Sequence, residues 1–212
     1  MGKNMKLLIG ASENKMQYVK KFSEYLEKFD VSCKVVLDVE ICNGFPGKNI
    51  TQWIYPFKKF NLLIKSFKPD AVFVDRQTQF GIAAIKAEIP LLMQLRGNYW
   101  DEINWAKKNG SIKDKIVLTI KEKIAEDCFR GSKIILPFSN HLAEITKEKY
   151  PDKKIEVFHD GLEIKNWYKE ESMHFKHPCV GLLQNASIWK KSQEMISLKS
   201  ILEKFPNVTF YW

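Results

Sequence analysis

Arginine is rare in this sequence, and its positions suggest where ligand chemistry would take place. Only three of the 34 basic residues are arginines. Arg76 directly follows the apolar segment Ala71–Asp75, and Arg96 directly follows Pro90–Leu95. A planar guanidinium can donate two parallel hydrogen bonds to one ligand, which a lysine cannot do. We therefore expect both arginines to contact a ligand at the carboxyl ends of two strands. The alternative is that they form ion pairs with acidic side chains nearby in sequence: Asp75, Asp101 or Glu102.

A second candidate for ligand chemistry is the polar start of a helix within Gly131–Gly161. The pattern predicts a strand at Lys133–Pro137, a helix entered through Ser139–Asn140, and a second strand at Lys154–His159. The backbone N–H groups at such a helix start can bind an anion. The unit ends at the turn pair Asp160–Gly161, where we expect the first domain to end.

The elements that would position these residues form βαβ units. Met5–Gly10 predicts the first strand, a turn of small residues ends at Ser12, and an apolar helical stripe leads to a strand at Ser32–Val39. In open α/β sheets this first turn lies at the ligand crevice, although no G-x-G-x-x-G pattern is present here. With the strands that precede Arg76 and Arg96, these units predict an α/β fold with a doubly wound parallel sheet.

The segment from Trp53 to Phe67 is both aromatic and basic. Its apolar residues Phe57, Phe60, Leu63, Ile64 and Phe67 share one helical face. One interpretation is a helix on an anionic membrane surface, with Trp53 and Tyr55 as anchors and with lysines towards the headgroups (Lys58, Lys59, Lys65). The other is an ordinary helix that packs on the sheet.

The net charge of +9 favours acidic partners such as phosphates, nucleic acid or an anionic membrane. The lysines are dispersed, which is typical of a solvated surface, so we do not expect a nucleic-acid binder. The four cysteines form no C-x-x-C pair. The apolar runs are too short to predict a signal peptide or a membrane span. We expect a cytoplasmic protein, with any lipid contact confined to the inner face of the membrane.

Residues beyond Gly161 predict a hinge at 162–176 and the beginning of a second domain at 177–212. Cys179–Leu183 and Asn207–Trp212 read as strands on either side of a helix at Lys190–Lys204. His174, His177 and Cys179 lie close in sequence, but a linker offers a metal no supporting shell, and we expect no metal site. A strand–helix–strand piece of this size cannot bury a core of its own.

Five segments, in this order, resemble those of family 4 glycosyltransferases, which have two Rossmann-like domains in the GT-B architecture. FKPDAVFVD resembles the family's Lys-Pro-Asp strand, and IPLLMQLRG resembles its Ile-Pro strand followed by His-Gly. SKIILPFSNHLAE resembles its strand–Ser–helix element, and KIEVFHDGLEIKNW resembles its Asn-Gly hinge. Residues from Cys179 to Trp212 resemble the first βαβ unit of the donor-binding domain. The resemblance covers nearly the whole chain and implies a Rossmann-like acceptor-side domain at 1–161.

The resemblance also implies a function and a set of site residues. It implies a retaining, metal-independent hexosyltransferase that moves a sugar from a nucleotide sugar to a glycan, lipid-linked or small-molecule acceptor, without a further cofactor. Arg96 stands in place of the family's His and takes the catalytic position. Acceptor or substrate contacts fall on Ser12, Arg76, Gly97, Tyr99, Trp100, Ser139 and Asn140. Donor phosphate contacts fall on Gly181, Lys190 and Lys191, and the hinge falls on Asp160 and Gly161.

The sequence departs from this family in ways that bear on activity. Gly181-Leu182 replaces the family's Gly-Arg, and the Glu-x7-Glu segment that holds the donor sugar would lie after Trp212. We therefore expect an incomplete donor site, completed by a longer chain or by a separate donor-domain chain. The alternative is a non-catalytic remnant of the family that binds a sugar or a partner.

Overall fold

The structure is a computed structural model that describes residues 4–42, 57–161, 164, 174–181, 199 and 203–211. The chain divides into two compact units, Met1–Gly161 and Leu162–Trp212. The expected membrane anchors Trp53 and Tyr55, the hinge segment apart from Ile164 and residues 174–176, and the greater part of the helix at Lys190–Lys204 lie outside the described residues.

The first unit alternates strands and helices. Its strands are β1 (Met5–Ala11), β2 (Val31–Leu37), β3 (Ala71–Val74), β4 (Leu91–Leu95) and β5 (Ile134–Pro137). Its helices are α1 (Met16–Glu27), α2 (Asp38–Ile41), α3 (Lys58–Phe67), α4 (Gln79–Lys86), α5 (Tyr99–Asn109), α6 (Ile112–Gly131) and α7 (Asn140–Lys149).

The five strands form one parallel sheet in the order β2-β1-β3-β4-β5. This is a Rossmann-like, doubly wound fold, as the sequence predicts. The segment after α7 continues the sheet beyond β5, where Ile155 pairs in parallel with Ile135 and Phe158 N donates to Pro137 O at 2.8 Å. The strand expected at Lys154–His159 is thus an extended segment joined to β5 through a single bridge.

Helices cover both faces of the sheet and bury two apolar clusters. The larger cluster contains three fully buried phenylalanines, Phe60, Phe80 and Phe129. The smaller cluster lies on the other face, around Ile9 and Val19. Gly10 allows the close approach of α4, because a Cβ at this position would lie 2.6 Å from the Phe80 ring. The core therefore fixes α4 tightly against the carboxyl half of β1.

Helix α3 settles the two interpretations of its apolar face. Phe60 is fully buried, and the other apolar residues of that face pack against the same cluster (Phe57, Leu63, Ile64, Phe67). The face is part of the core, so the membrane-surface interpretation of it is wrong. Lys59 donates a hydrogen bond to Glu40 O at 3.0 Å.

Polar side chains define the starts of several helices. Ser111 and Asp114 form a reciprocal capping box at the start of α6, and Thr78 accepts a hydrogen bond from Phe80 N in α4. Such caps satisfy N–H groups that have no partner within the helix. The capping box explains why α6 begins at Ile112.

The four cysteines, which all lie in the described residues, are free thiols. Cys42 and Cys128 are buried, and burial raises the pKa of each thiol to about 12. None of the described helices is both long enough and apolar enough to cross a membrane.

The second unit contains two short parallel strands among its described residues. β6 (Cys179–Gly181) pairs with β7 (Thr209–Tyr211). The ring of Phe175 lies 4.5 Å from that of Tyr211, whose hydroxyl accepts a hydrogen bond from Lys176 N. Both strands lie within the segments predicted from sequence.

Candidate functional site

The carboxyl edge of the sheet gathers most of the residues singled out from the sequence. In a sheet of this order the crossovers change direction between β1 and β3, and a ligand crevice is expected outside the carboxyl ends of these two strands. Ser12 follows β1 and Asp75 follows β3. Both residues are buried. This pair therefore marks the position at which the fold favours a ligand site.

Ser12 and Asp75 are joined by hydrogen bonds. Ser12 N lies 3.3 Å from both carboxylate oxygens of Asp75, and Ser12 Oγ donates to Asp75 Oδ2. Ser12 Oγ also lies 2.9 Å from Asn14 Oδ1, and since a hydroxyl carries one proton it donates to one of the two at a time. The turn after β1 is thereby fixed to the end of β3.

Arg76 forms a bidentate ion pair with Asp38. Its Nε and Nη2 atoms lie 3.2 and 3.1 Å from the two carboxylate oxygens. Asp38 is almost fully buried, whereas 45% of the Arg76 side chain is exposed. Arg76 therefore forms an ion pair, but with Asp38, which was not among the expected partners. Its predicted contact with a ligand stays a prediction.

Arg96 lies in a network that ties the end of β4 to the end of the first unit. Its Nη1 atom donates to Asp160 Oδ2, and its Nε atom donates to Gln94 Oε1 at 3.2 Å. Gln94 is fully buried and donates from Nε2 to Asp160 Oδ1 at 3.2 Å. The residue predicted as catalytic and the residue predicted as a hinge are thus direct partners.

Tyr18 of α1 completes this network from above the guanidinium. The Cζ atom of Arg96 lies 4.8 Å from the centre of the Tyr18 ring, a cation–π distance. Burial, together with hydrogen bonding and repulsion from the Asp160 carboxylate, raises the pKa of Tyr18 to about 12. Tyr18 therefore stays neutral through the physiological range and is a hydrogen-bond donor beside Asp160.

One nitrogen of Arg96 lacks a partner among the described residues. Nη2 is buried and makes no hydrogen bond, while the other two nitrogens are bonded. A buried donor without a partner costs about 1–3 kcal/mol. Nη2 is therefore a buried donor of Arg96 whose hydrogen-bonding capacity the described residues do not use.

The aromatic residues after Arg96 pack against the core. Trp100 stacks on Phe129 with ring centres 5.2 Å apart, and Lys149 Nζ lies 5.1 Å from the centre of the Trp100 ring. Tyr99 contacts the edge of Phe129, and burial raises its pKa to about 12. Their predicted contact with a sugar face stays a prediction.

Gly97 leaves room for a carboxylate of the next helix. A Cβ at this position would lie 3.1 Å from Glu102 Oε1. Its carbonyl oxygen accepts a hydrogen bond from Tyr99 N at 2.8 Å. Gly97 therefore shapes the turn between β4 and α5, directly after Arg96.

Ser139 and Asn140 lie at the same edge of the sheet, at the start of α7. Ser139 caps the helix by accepting a hydrogen bond from Leu142 N at 3.3 Å, and Asn140 is its exposed first residue. The predicted helix start is confirmed. Its binding of an anion stays a prediction.

The donor-side residues are the least described part of the predicted site. Gly181 ends β6, and no described residue apart from its chain neighbours lies within 4 Å of the position its Cβ would take. Lys190 and Lys191 lie outside the described residues. Within the described ranges, no group of three or more potential metal ligands from His, Cys, Asp and Glu was found.

The sequence analysis did not identify Asp38, Gln94 or Tyr18 as site residues. It identified Asp75 only as a possible ion-pair partner of an arginine. A usable signal was present for Asp38, because it is an acidic residue directly after a strand, as Asp75 is. The predicted strand to Val39 concealed it, since β2 ends at Leu37 and Asp38 begins α2. No local pattern marks Gln94 or Tyr18.

Comparison with protein-family profiles and with curated proteins gave no match. Among solved structures, a similar one is UGT73P12 of Glycyrrhiza uralensis complexed with glycyrrhetinic acid 3-O-monoglucuronide. The two chains share 13% sequence identity at a TM-score of 0.40, over 74% of this chain and 42% of that one. The matched region thus spans less than half of that protein, and a likeness this distant assigns neither function nor site residues.

Proposed function

We propose that this chain is the acceptor-side part of a glycosyltransferase of the GT-B type, related to family 4. Residues 1–161 form the acceptor-side domain, 162–176 the hinge, and 177–212 the beginning of the donor-binding domain. The reaction transfers a hexose from a nucleotide sugar to a hydroxyl of a glycan, lipid-linked or small-molecule acceptor. It proceeds with retention of anomeric configuration and without a metal.

The observation that supports this proposal best is the Arg96 network at the carboxyl edge. Glycosyl transfer requires groups that position the reacting sugar and stabilise developing negative charge. Arg96 is fixed on two sides by Gln94 and Asp160. Its Nη2 atom, which has no partner among the described residues, would donate to a substrate oxygen. The start of α7 and the Ser12 turn lie at the same edge and would contribute further contacts.

The departing diphosphate would be neutralised from the donor side. Lys190 and Lys191 would contact the phosphates, and Gly181 would allow their close approach to the end of β6. Asp160 and Gly161 would provide the hinge.

A second candidate is a sugar- or partner-binding protein that does not catalyse transfer. The pairing of Arg76 with Asp38 and of Arg96 with Asp160 favours it, because both guanidinium charges are already balanced within the fold. A balanced guanidinium still orients a neutral hydroxyl, but it stabilises an anion less.

The experiment is a transfer assay on the full chain, alone and with a separately expressed donor-binding domain of family 4. Nucleotide sugars labelled in the sugar are incubated with a mixture of oligosaccharide, lipid-linked and glycoside acceptors, and products are identified by mass spectrometry and NMR. We expect a product with retained configuration, lost in Arg96→Met and kept in Arg130→Met, an exposed arginine of α6.

The outcomes separate the two candidates. A product of inverted configuration contradicts the retaining mechanism. Sugar binding without transfer under either condition supports the non-catalytic candidate. Neither binding nor transfer overturns both.

A further inference from the structure

One apolar row of α6 is exposed at the start of the helix and buried near its end. The row follows the four-residue spacing that places side chains on one helical face: Ile112, Ile116, Ile120, Ile124 and Cys128. Cys128 is fully buried and Ile124 packs against the core, whereas Ile116 is 59% exposed and Ile112 is 80% exposed. The same face of α6 therefore packs on the domain near Cys128, whereas no described residue covers it near Ile112.

This uncovered end projects away from the sheet. Cys128 is level with the first turn of α4, since its Sγ lies 3.4 Å from Thr78 O. Gly131 contacts Ile85 near the end of α4, so the two helices run in the same direction. The 16 residues of α6 that precede Cys128 extend it by about 24 Å beyond that level. Helix α5 packs along this extension, where Lys107 pairs with Glu122.

Helices α5 and α6 form a helical hairpin. Its tip, residues 105–121, contains an apolar groove. A cavity of about 330 Å³ lies between α5 and α6. Trp105 and Ala106 of α5 line it opposite Val117 and Leu118 of α6. Ile112 and Ile116 are on the same stretch of α6, so the tip combines a groove with exposed aliphatic side chains.

The tip is also strongly basic. It contains five lysines (Lys107, Lys108, Lys113, Lys115, Lys121) and a single acidic residue, Asp114, giving a net charge of +4. Four of these lysines are exposed, and Lys107 is paired with Glu122. A basic rim around exposed aliphatic groups is typical of a surface that binds anionic lipid.

We propose that the tip of the α5–α6 hairpin docks on an anionic lipid bilayer, with Ile112 and Ile116 entering the interface and the lysines contacting headgroups. Charge disfavours the other occupants. A second copy of the chain would place one tip of charge +4 against another. Residues 43–56 would also be repelled, because they contain one lysine and no acidic residue. Residues 162–212 carry a net positive charge as well, with seven lysines and five glutamates. Nucleic acid would gain nothing from isoleucines, because base stacking requires flat rings.

The test is sedimentation of the full chain with vesicles of phosphatidylcholine containing phosphatidylglycerol, compared with phosphatidylcholine alone. The variant Ile112→Asp/Ile116→Asp is compared with Phe29→Asp/Leu62→Asp. The control pair is 77% and 62% exposed and undergoes the same change of charge, so the general attraction of a basic protein is altered equally. We expect the first variant to bind the anionic vesicles about tenfold more weakly than the control. Equal binding by the two variants would overturn the proposal.

Hydrogen exchange on the unmodified chain gives a second readout that does not depend on the folding of a variant. We expect anionic vesicles to slow exchange of backbone amides in residues 105–121. Slowing at α3 instead, or none at the hairpin, would overturn the proposal. Neither experiment contains a sugar or nucleotide, so each outcome is independent of the proposed transfer reaction.

Discussion

Asp160 and Arg96, 64 residues apart in the sequence, form an ion pair between Oδ2 and Nη1. Both side chains are about one-fifth exposed, and fully buried Gln94 hydrogen-bonds to both. Asp160 immediately precedes Gly161, the last residue of the first unit. The carboxyl end of β4 and the end of the unit are therefore held together at one point.

Loss of the Asp160 carboxylate should destabilise the first unit. In Asp160→Ala the partly buried Arg96 and the fully buried Gln94 both lose a partner. We expect the free energy of unfolding to fall by about 1–3 kcal/mol. Urea denaturation measures this change. Asp152→Ala, an exposed acidic residue after α7, is the control and should change stability by less than about 0.5 kcal/mol. Similar values for the two variants would show that the network contributes nothing to stability.

Arg96→Lys should not replace the native arginine. The guanidinium bonds through Nε to Gln94 and through Nη1 to Asp160, and a single ammonium cannot reproduce this fork. We expect a loss of stability close to that of Arg96→Met, measured by urea denaturation of both variants. Full stability of Arg96→Lys would mean that charge alone accounts for the interaction.

Removal of the Ser12 hydroxyl should be costly because its partner is buried. Ser12→Ala leaves Asp75, which is 6% exposed, without one of its hydrogen bonds. We expect the free energy of unfolding to fall by about 1–3 kcal/mol. The matched control is Ser66→Ala, whose exposed hydroxyl donates to Leu63 O of its own helix. A Ser12 variant as stable as the Ser66 variant would contradict the proposed link between β1 and β3.

The contact of Gly10 with Phe80 can be tested by adding one methyl group. In Gly10→Ala the new Cβ would lie 2.6 Å from the ring, and we expect a loss of about 1–3 kcal/mol from overpacking. Phe80→Leu in the same chain removes part of the ring and should give a smaller combined loss than the two single changes added together. Thermal or urea unfolding of the four proteins measures this coupling, and strict additivity would contradict the contact.

Tyr18 should titrate late and make stability depend on alkaline pH. Its pKa is raised from an ordinary 10.0 to about 12, so folding favours the neutral phenol. The stabilisation is fully present below pH 10 and is lost as the pH rises through about 12. Relative to the native chain, Tyr18→Phe should lose less stability over this window. Asp160→Asn should lower the pKa of Tyr18, as followed by tyrosinate absorbance, and an unchanged titration would contradict their contact.

Sequence periodicity and chain breakers gave the order of strands and helices, because these depend on residues close in the chain. Pro69 and Pro90 precede β3 and β4, and the i+4 isoleucines define α6. The partners of the arginines were not predictable in this way. Asp38 is 38 residues from Arg76, and Asp160 is 64 residues from Arg96, so both contacts follow from sheet order and packing.

Burial explains the other differences. The aromatic face of α3 has the spacing of a membrane-surface helix and of a core helix alike, and only the packing of Phe60 decides between them. The sequence does not show that Tyr99 and Trp100 both pack beside Phe129. Their predicted contact with substrate stays a prediction.

The central claim, that the carboxyl edge around Arg96 is the ligand site, is tested most directly by mapping where nucleotide sugars and acceptor glycosides bind. Backbone amide chemical shifts of the isotope-labelled full chain, recorded during titration, give this position. We predict that the shifts cluster at Ser12, Arg76, Arg96–Gly97 and Ser139–Asn140, and that Arg96→Met removes them. Shifts centred instead on the polar cavity at the opposite edge of the sheet, lined by Asn4, Asp30 and Ser32, would contradict the claim.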